Sequence, residues 1–150
     1  MSEGRTVEQR KADTMAELNR QRDLWLATAD PNGKPHLIAV SAWWDGNHMI
    51  IATTAASRSA RNLDANGIAR FALGAPDDVI VIDATVADRV KVRNADGDLA
   101  AGFTSAVGWD PRDISDDWVF FRLIPARIQA YRGYEELEGR DVMLVGRWLA

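Results

Sequence analysis

A short stretch of the chain, Thr53-Thr54-Ala55-Ala56-Ser57-Arg58-Ser59-Ala60-Arg61-Asn62, sets hydroxyl groups just ahead of arginines. Thr53 and Thr54 close an apolar run, and Ser57 stands where a helix would begin. A serine there can cap the first turn. The amides that stay free, and the positive end of the helix dipole, favour an anion. Arg58 and Arg61 are three residues apart and share a helix face, so they can add charge-assisted, bidentate hydrogen bonds. The chemistry this pattern supports is the holding of an anion such as a phosphate. The same residues also describe an ordinary capped surface helix with solvated arginines.

Other chemistries find little support. Cysteine is absent, which removes disulfides, thiolate metal sites and cysteine nucleophiles. His36 and His48 are the only histidines and stand far apart, so no metal site is expected. Asp77-Asp78 and Asp116-Asp117 imitate paired carboxylates, but adjacent acids in loops are usually solvated. No serine–histidine–aspartate arrangement is legible, and no residue is assigned a catalytic role. A net charge of −4 with interleaved acids and bases gives no nucleic-acid footprint. The N-terminal stretch is polar and charged, with no signal-peptide core. No apolar run approaches the roughly 20 residues needed to span a bilayer. A cytoplasmic protein without membrane partners is the expectation.

The elements that must position the hydroxyl–arginine stretch follow from turn signals and periodicity. A helix is predicted from Thr6 to about Arg22, with Val7, Met15 and Leu18 as its apolar stripe and Thr6 as its cap, Gln9 being a fair capping-box partner. Asp23 to Ala29 reads as a strand, and Asp30-Pro31-Asn32-Gly33 as a hairpin turn into a second strand, Pro35 to Trp44. Asp45-Gly46-Asn47 turns into a third, His48 to Thr53. After the helix from Ser57 to Asn66, closed by Gly67, come a fourth strand from Ile68 to Leu73 and a long fifth from Asp78 to Val92. The pattern of the fifth breaks near Ala87-Asp88. Asp98 to Val107 is predicted helical, with Leu99, Phe103 and Val107 at helical spacing. Trp118 to Tyr131 is the last long strand; Pro125 within it implies an edge, a bulge or a bend. Val142 to Leu149 reads as a short apolar tail. The chain is thus expected to form one domain over residues 1–150, mainly β with peripheral helices (α+β). Its six strands, mostly antiparallel, would close into a barrel that hides their edges. Of the neighbouring Trp43 and Trp44, alternation makes one core and the other outside, suited to a dimer interface or a ligand wall. Trp109 is placed either to cover a substrate or simply to pack, and Trp148 either to reach a partner chain or simply to pack.

The segment from Leu26 to Asn66, LATADPNGKPHLIAVSAWWDG followed by HMIIATTAASRSARNLDANG, resembles the split-barrel flavin-binding superfamily typified by pyridoxamine 5′-phosphate oxidase. The shared features are a Gly-x-Pro strand, a Trp-Asp-Gly-like turn, a strand ending in Thr, a Ser-Arg helix start and an Asn-Leu pair. The tail from Phe120 to Ala150 looks like the family's closing strand and C-terminus. The arginine-rich composition and Arg61-Asn62-Leu63 look most like the branch that uses the deazaflavin coenzyme F-420; neighbouring branches use FMN. The resemblance implies a six-stranded antiparallel split β-barrel and a homodimer whose cofactor clefts lie between subunits. It implies a cofactor held by Thr53, Thr54, Ser57, Arg58, Ser59 and Arg61 at its phosphate, with Asn62 positioning either the phosphate or a ribityl hydroxyl. Family members often carry Lys or Arg at the position of Ser59, so either phosphate affinity is weaker here or Arg61 substitutes. The ring would lie along the strand face of His36, Ile38 and Val40, with His36 either contacting the ring or sitting at the rim without a role. The implied activity is hydride transfer from F-420 to a small organic substrate, the cofactor carrying the chemistry. The alternatives are an FMN-dependent oxidase or reductase, and a non-enzymatic cofactor or haem binder with His36 or His48 as axial ligand. Pyridoxamine-phosphate oxidation itself is not expected, because Arg140 and Arg147 near the C-terminus have no histidine beside them.

Overall fold

The computed structural model describes residues 4–150. Strands β1 (Asp23–Ala29), β2 (Pro35–Trp44) and β3 (Met49–Thr54) form an antiparallel meander. The Asp30 carboxylate accepts from the backbone N–H of Asn32 and Lys34 and so fixes the first turn. Asp45 does the same for Asn47 and His48 in the second. β4 (Ile68–Ala75), β5 (Asp78–Lys91) and β6 (Trp118–Tyr131) continue the sheet in the order β3-β2-β1-β4-β5-β6, and β6 pairs with β3 to close a six-stranded barrel. The expected architecture is the observed one.

Two departures from a plain barrel have local causes. β6 takes a register shift at Pro125, where Ala126 is the extra residue, and β5 takes another at Ala87. Proline cannot donate to a ladder, which is why the strand bulges there. The C-terminal stretch is not a loose tail. It forms a hairpin of β7 (Asp141–Leu144) and β8 (Arg147–Trp148) that extends the sheet beyond β6.

Helix α1 (Val7–Arg20) begins with a complete capping box between Thr6 and Gln9. Its buried face is Arg10, Thr14 and Leu18, one turn apart, while Val7 and Met15 of the predicted stripe are only half-buried. Arg10 can be buried because its guanidinium donates to the carbonyls of Ala130 and Gly139, at 3.2 and 2.9 Å. Trp148 is half-buried against the same chain's core, with Lys11 over its ring.

Two apolar cores result. One fills the barrel, around Leu26, Ile51, Phe71, Ile82, Phe121 and Leu123. The other lies outside the barrel wall, where α3 (Gly97–Val107) lays Leu99, Phe103 and Val107 over Ile50 and Phe120. Trp44 faces the first core and Trp43 the second, so alternation divides the pair as expected, but α3 covers Trp43. Helix α2 (Arg58–Asn66) packs across one end of the barrel, its C-terminus closed by Gly67 in the left-handed conformation, φ 68°.

Candidate functional site

The corner between β3 and α2 is built by local hydrogen bonds. The Ser57 hydroxyl accepts from the Ala60 backbone N–H at 3.1 Å, and Thr53 donates its own hydroxyl to Ser57 at 2.9 Å. The Ser57 carbonyl takes the Arg61 N–H, and the Thr54 carbonyl takes the Ser57 N–H. Among the described residues this leaves the backbone N–H groups of Arg58 and Ser59 without a partner. They are the first free donors of the helix. Arg58 and Arg61 are exposed. Neither meets a carboxylate among the described residues, whereas Arg70, Arg89, Arg112 and Arg127 each do. The opposite side of α2 turns inward. Ser59 and Asn62 are buried, and Asn62 donates its side-chain amide to the Thr28 hydroxyl at 3.0 Å.

The structure therefore brings Thr53, Thr54, Ser57, Arg58 and Arg61 to one corner, and places Ser59 and Asn62 on the barrel side of the same helix. β2 lies nearby through Thr28, which is paired with His36 across the β1–β2 ladder. His36, Ile38 and Val40 share the barrel-facing side of β2, opposite Thr28, Leu26 and Leu24. His36 and Val40 are half-buried and Ile38 is exposed. His48, the other histidine, is held by Asp45 at the far turn, 3.2 Å from its carboxylate, and takes no part in the corner.

What opens this region is a split in the barrel. The β2–β3 ladder holds only three pairs, Trp44–Met49, Trp43–Ile50 and Ala42–Ile51, and then stops. Beyond it β3 runs on against β6, with Thr53 opposite Val119 and Thr54 opposite Trp118. β2 keeps only β1 as a neighbour from Pro35 to Ser41. Backbone N–H and C=O groups on that side of β2 are thus free to pair with something other than a strand. Trp109 braces the point of divergence, donating its indole N–H to Ser41 at 3.0 Å and packing edge-to-face on Phe103 and Trp118. It belongs to the core beneath α3. Close by, Asp110 is held below the ordinary aspartate range, chiefly by the Arg112 guanidinium.

On the other side of the corner lies a groove of about 460 Å3, bordered by Thr54, Ala56, Lys91, Arg93, Asp117 and Trp118. Lys91 and Arg93 carried no local signal in the sequence. Only the β5–β6 register, which sets Lys91 against Val119 and Val119 against Thr53, brings them to the corner. Among the described residues no group of three or more His, Cys, Asp or Glu is gathered as a metal would need. No helix of the structure is long and apolar enough to cross a membrane.

Residues 11–130 match the family model described as pyridoxamine 5′-phosphate oxidase. The chain belongs to this family. No curated protein matches it. Among solved structures, family-like barrels superpose on it at low identity. An F-420 reductase is 23% identical, with TM-score 0.64 over 75% of this chain and 93% of its own. The haem storage protein HutZ from Vibrio cholerae is 18% identical, with TM-score 0.61 over 90% of this chain and 97% of its own. A pyridoxamine 5′-phosphate oxidase-related, FMN-binding protein from Nostoc punctiforme is 16% identical, with TM-score 0.55 over 81% of this chain and 82% of its own. At these identities the likeness is one of fold.

Proposed function

We infer that this family member binds a phosphate-bearing flavin-type cofactor, coenzyme F-420 ahead of FMN, and serves as a reductase for a small organic substrate. The observation that carries the reading is the junction of three features at one corner. These are two free amides at the start of α2, the unpaired Arg58 and Arg61, and the strand edge of β2 left open by the split. A phosphate suits the first two, because a helix start supplies aligned N–H donors and arginine a bidentate fork. A flat heterocycle with polar edges suits the third. It can pair with backbone groups of β2 while its face rests on Ile38 and Val40.

When bound, such a cofactor supplies the hydride chemistry. The chain's residues hold the anion, orient the ring along β2 and exclude water. No side chain is needed as a covalent catalyst. Two copies are proposed to work together. Ile38 lies exposed beside the split, so a wall from a second chain would complete the cleft.

The test is a fluorescence and absorbance titration against F-420, FMN and haem. Arg58→Ala/Arg61→Ala is expected to weaken F-420 binding by about tenfold to a hundredfold, the range for losing charged hydrogen bonds. Unchanged affinity rejects the corner as the anchor. Preferential haem binding replaces the redox reading with that of a carrier, for which His36 is the donor beside the split.

A further inference from the structure

Past its last rung with β3, β2 has no ladder on that side to set its distance from the rest of the barrel. The rung is Ala42–Ile51, and the next residue along β2 is Ser41. The Ser41 hydroxyl accepts the Trp109 indole N–H at 3.0 Å. It donates in turn to the carboxylate of Asp23, its ladder partner on β1, at 3.2 Å. Among the described residues it is the one side chain of the open stretch, 35–41, that hydrogen bonds hold. The same indole also meets the far lip of the split. It packs edge-to-face on Trp118, with 5.3 Å between ring centroids, and Trp118 stands opposite Thr54 at the end of β3. One rigid ring thus reaches from the strand that leaves to the strands that stay. It has little freedom of its own. Phe103 of α3 meets it at 5.3 Å and 88°, and paired aromatic rings favour such edge-on contact. Gly108, left-handed at φ 87°, ends α3 directly before it. Just after it, the Asp110 carboxylate accepts the Arg112 backbone N–H at 2.9 Å and its guanidinium at 2.7 Å.

We infer that Trp109 is a strut that sets the width of the split, and that through Ser41 it is a positioning residue for the cofactor's ring. The inference rests on the reading of the split given above and adds the part that holds it at one width. A flat heterocycle that pairs with β2 needs the strand's N–H and C=O groups kept in one place, because hydrogen bonds weaken steeply as their alignment is lost. The phosphate corner stands on the other lip, at the end of β3 and the start of α2. It does not depend on where β2 lies. Loss of the strut therefore weakens the hold on the ring and spares the hold on the phosphate. Loss of Arg58 and Arg61 does the reverse.

The experiment titrates two probes, F-420 and the same deazaflavin cut back to its ribityl chain, which has no phosphate. Ser41→Ala is expected to weaken both by one factor, about two- to tenfold, the range for a single neutral hydrogen bond. Trp109→Phe keeps an aromatic ring without the N–H and weakens both probes too. In that background Ser41→Ala costs less than it does alone, since the shared bond is already gone. Ser41→Thr keeps the hydroxyl and restores binding. The fluorescence anisotropy of F-420 at saturation falls in both weakened variants, as a held phosphate then carries a looser ring. A change in stability alone leaves that anisotropy unmoved, and the titration end point counts the folded fraction separately. Unchanged affinity and anisotropy in Ser41→Ala overturn the strut, as does a loss confined to F-420 or costs that add in full in the double variant. In each of these cases Arg58→Ala/Arg61→Ala still weakens F-420, and the corner stands. Binding of F-420 with none of the shortened probe means that β2 holds no ring, and overturns the strut too. If the unaltered protein binds neither probe, the cofactor reading fails and the strut has nothing to position.

Discussion

Ser57 joins stability to binding in a single side chain. Its hydroxyl caps α2 and receives the Thr53 hydroxyl, so it fixes both the helix start and the end of β3. Ser57→Ala should cost about 1 kcal/mol of stability, the usual value of a lost N-cap, and should weaken the cofactor as well. Ser57→Thr should restore both; urea denaturation and a binding titration read the two effects. Glu136 shows a purely structural use of charge at the opposite side of the molecule. Its carboxylate meets the Arg5 guanidinium at 2.7 Å and accepts the backbone N–H groups of Arg5 and Arg132. The Arg5 hydrogen bond leads in lowering its pKa from 4.5 to about 2. A depressed acid stabilises the fold fully above its unfolded value and less as pH falls through the folded one. Glu136→Gln should therefore cost about 2–3 kcal/mol at neutral pH. That gap should narrow below pH 4.5 and nearly close by about pH 2, as followed by denaturation at each pH. The two residues differ in how far they could be read in advance. Ser57 obeys a rule that spans four residues. Arg5 and Glu136 lie 131 positions apart, and only the closed fold makes them neighbours. Lys91 and Arg93 were hidden for the same reason.

Elements were more legible than single contacts, because turns and periodicity are local. Asn-Gly, Asp-Gly and the Gly67 stop signal mark the meander and α2 where they occur. Three misreadings share one cause, which is that packing partners distant in sequence decide burial. α1 buries an arginine because β6 and the loop at Gly139 present carbonyls to it. The C-terminal tail becomes a hairpin because β6 offers an edge. Trp43, outside the barrel, is half-covered because α3 lies across it. The contact with α3 is close enough to test. A Cβ built on Gly102 would stand 2.3 Å from the Trp43 ring, so helix and indole meet without space for a methyl group. Gly102→Ala gains helix propensity of about 1 kcal/mol but overpacks a core layer by about 1–3 kcal/mol. The expected result is a net loss and a lower melting temperature. Since Trp109 and Trp118 belong to the same layer, near-ultraviolet circular dichroism should change with it. A stabilised variant with an unchanged aromatic signal would show that α3 rides loosely on the barrel.

At the scale of the whole molecule, one strand carries two unfinished surfaces. The side edge of β2 is unpaired along the split, and its outer face is apolar and bare. Leu37 is 63% exposed and Trp25, on the neighbouring strand, 52%. Trp25 lies between Ala39 and Ala72 across the ladders, so small side chains leave its ring standing clear of the sheet. A large apolar residue ringed by alanines on a strand face is poorly suited to water and well suited to a flat partner. The occupant proposed is a second copy, because a chain seated on Leu37 and Trp25 also stands beside Ile38 and the open edge, where the cofactor cleft lacks a wall. Burying the face and completing the cleft then become one event. Leu37→Glu places a charge in that contact while leaving the barrel core untouched. It should convert a dimer to a monomer in sedimentation-velocity runs and weaken F-420 binding in parallel, with far-ultraviolet circular dichroism unchanged. A variant that stays dimeric would place the interface elsewhere. A monomer that binds the cofactor as tightly as the unaltered protein would mean that one chain makes the whole cleft, and that the bare face of β2 serves some other contact.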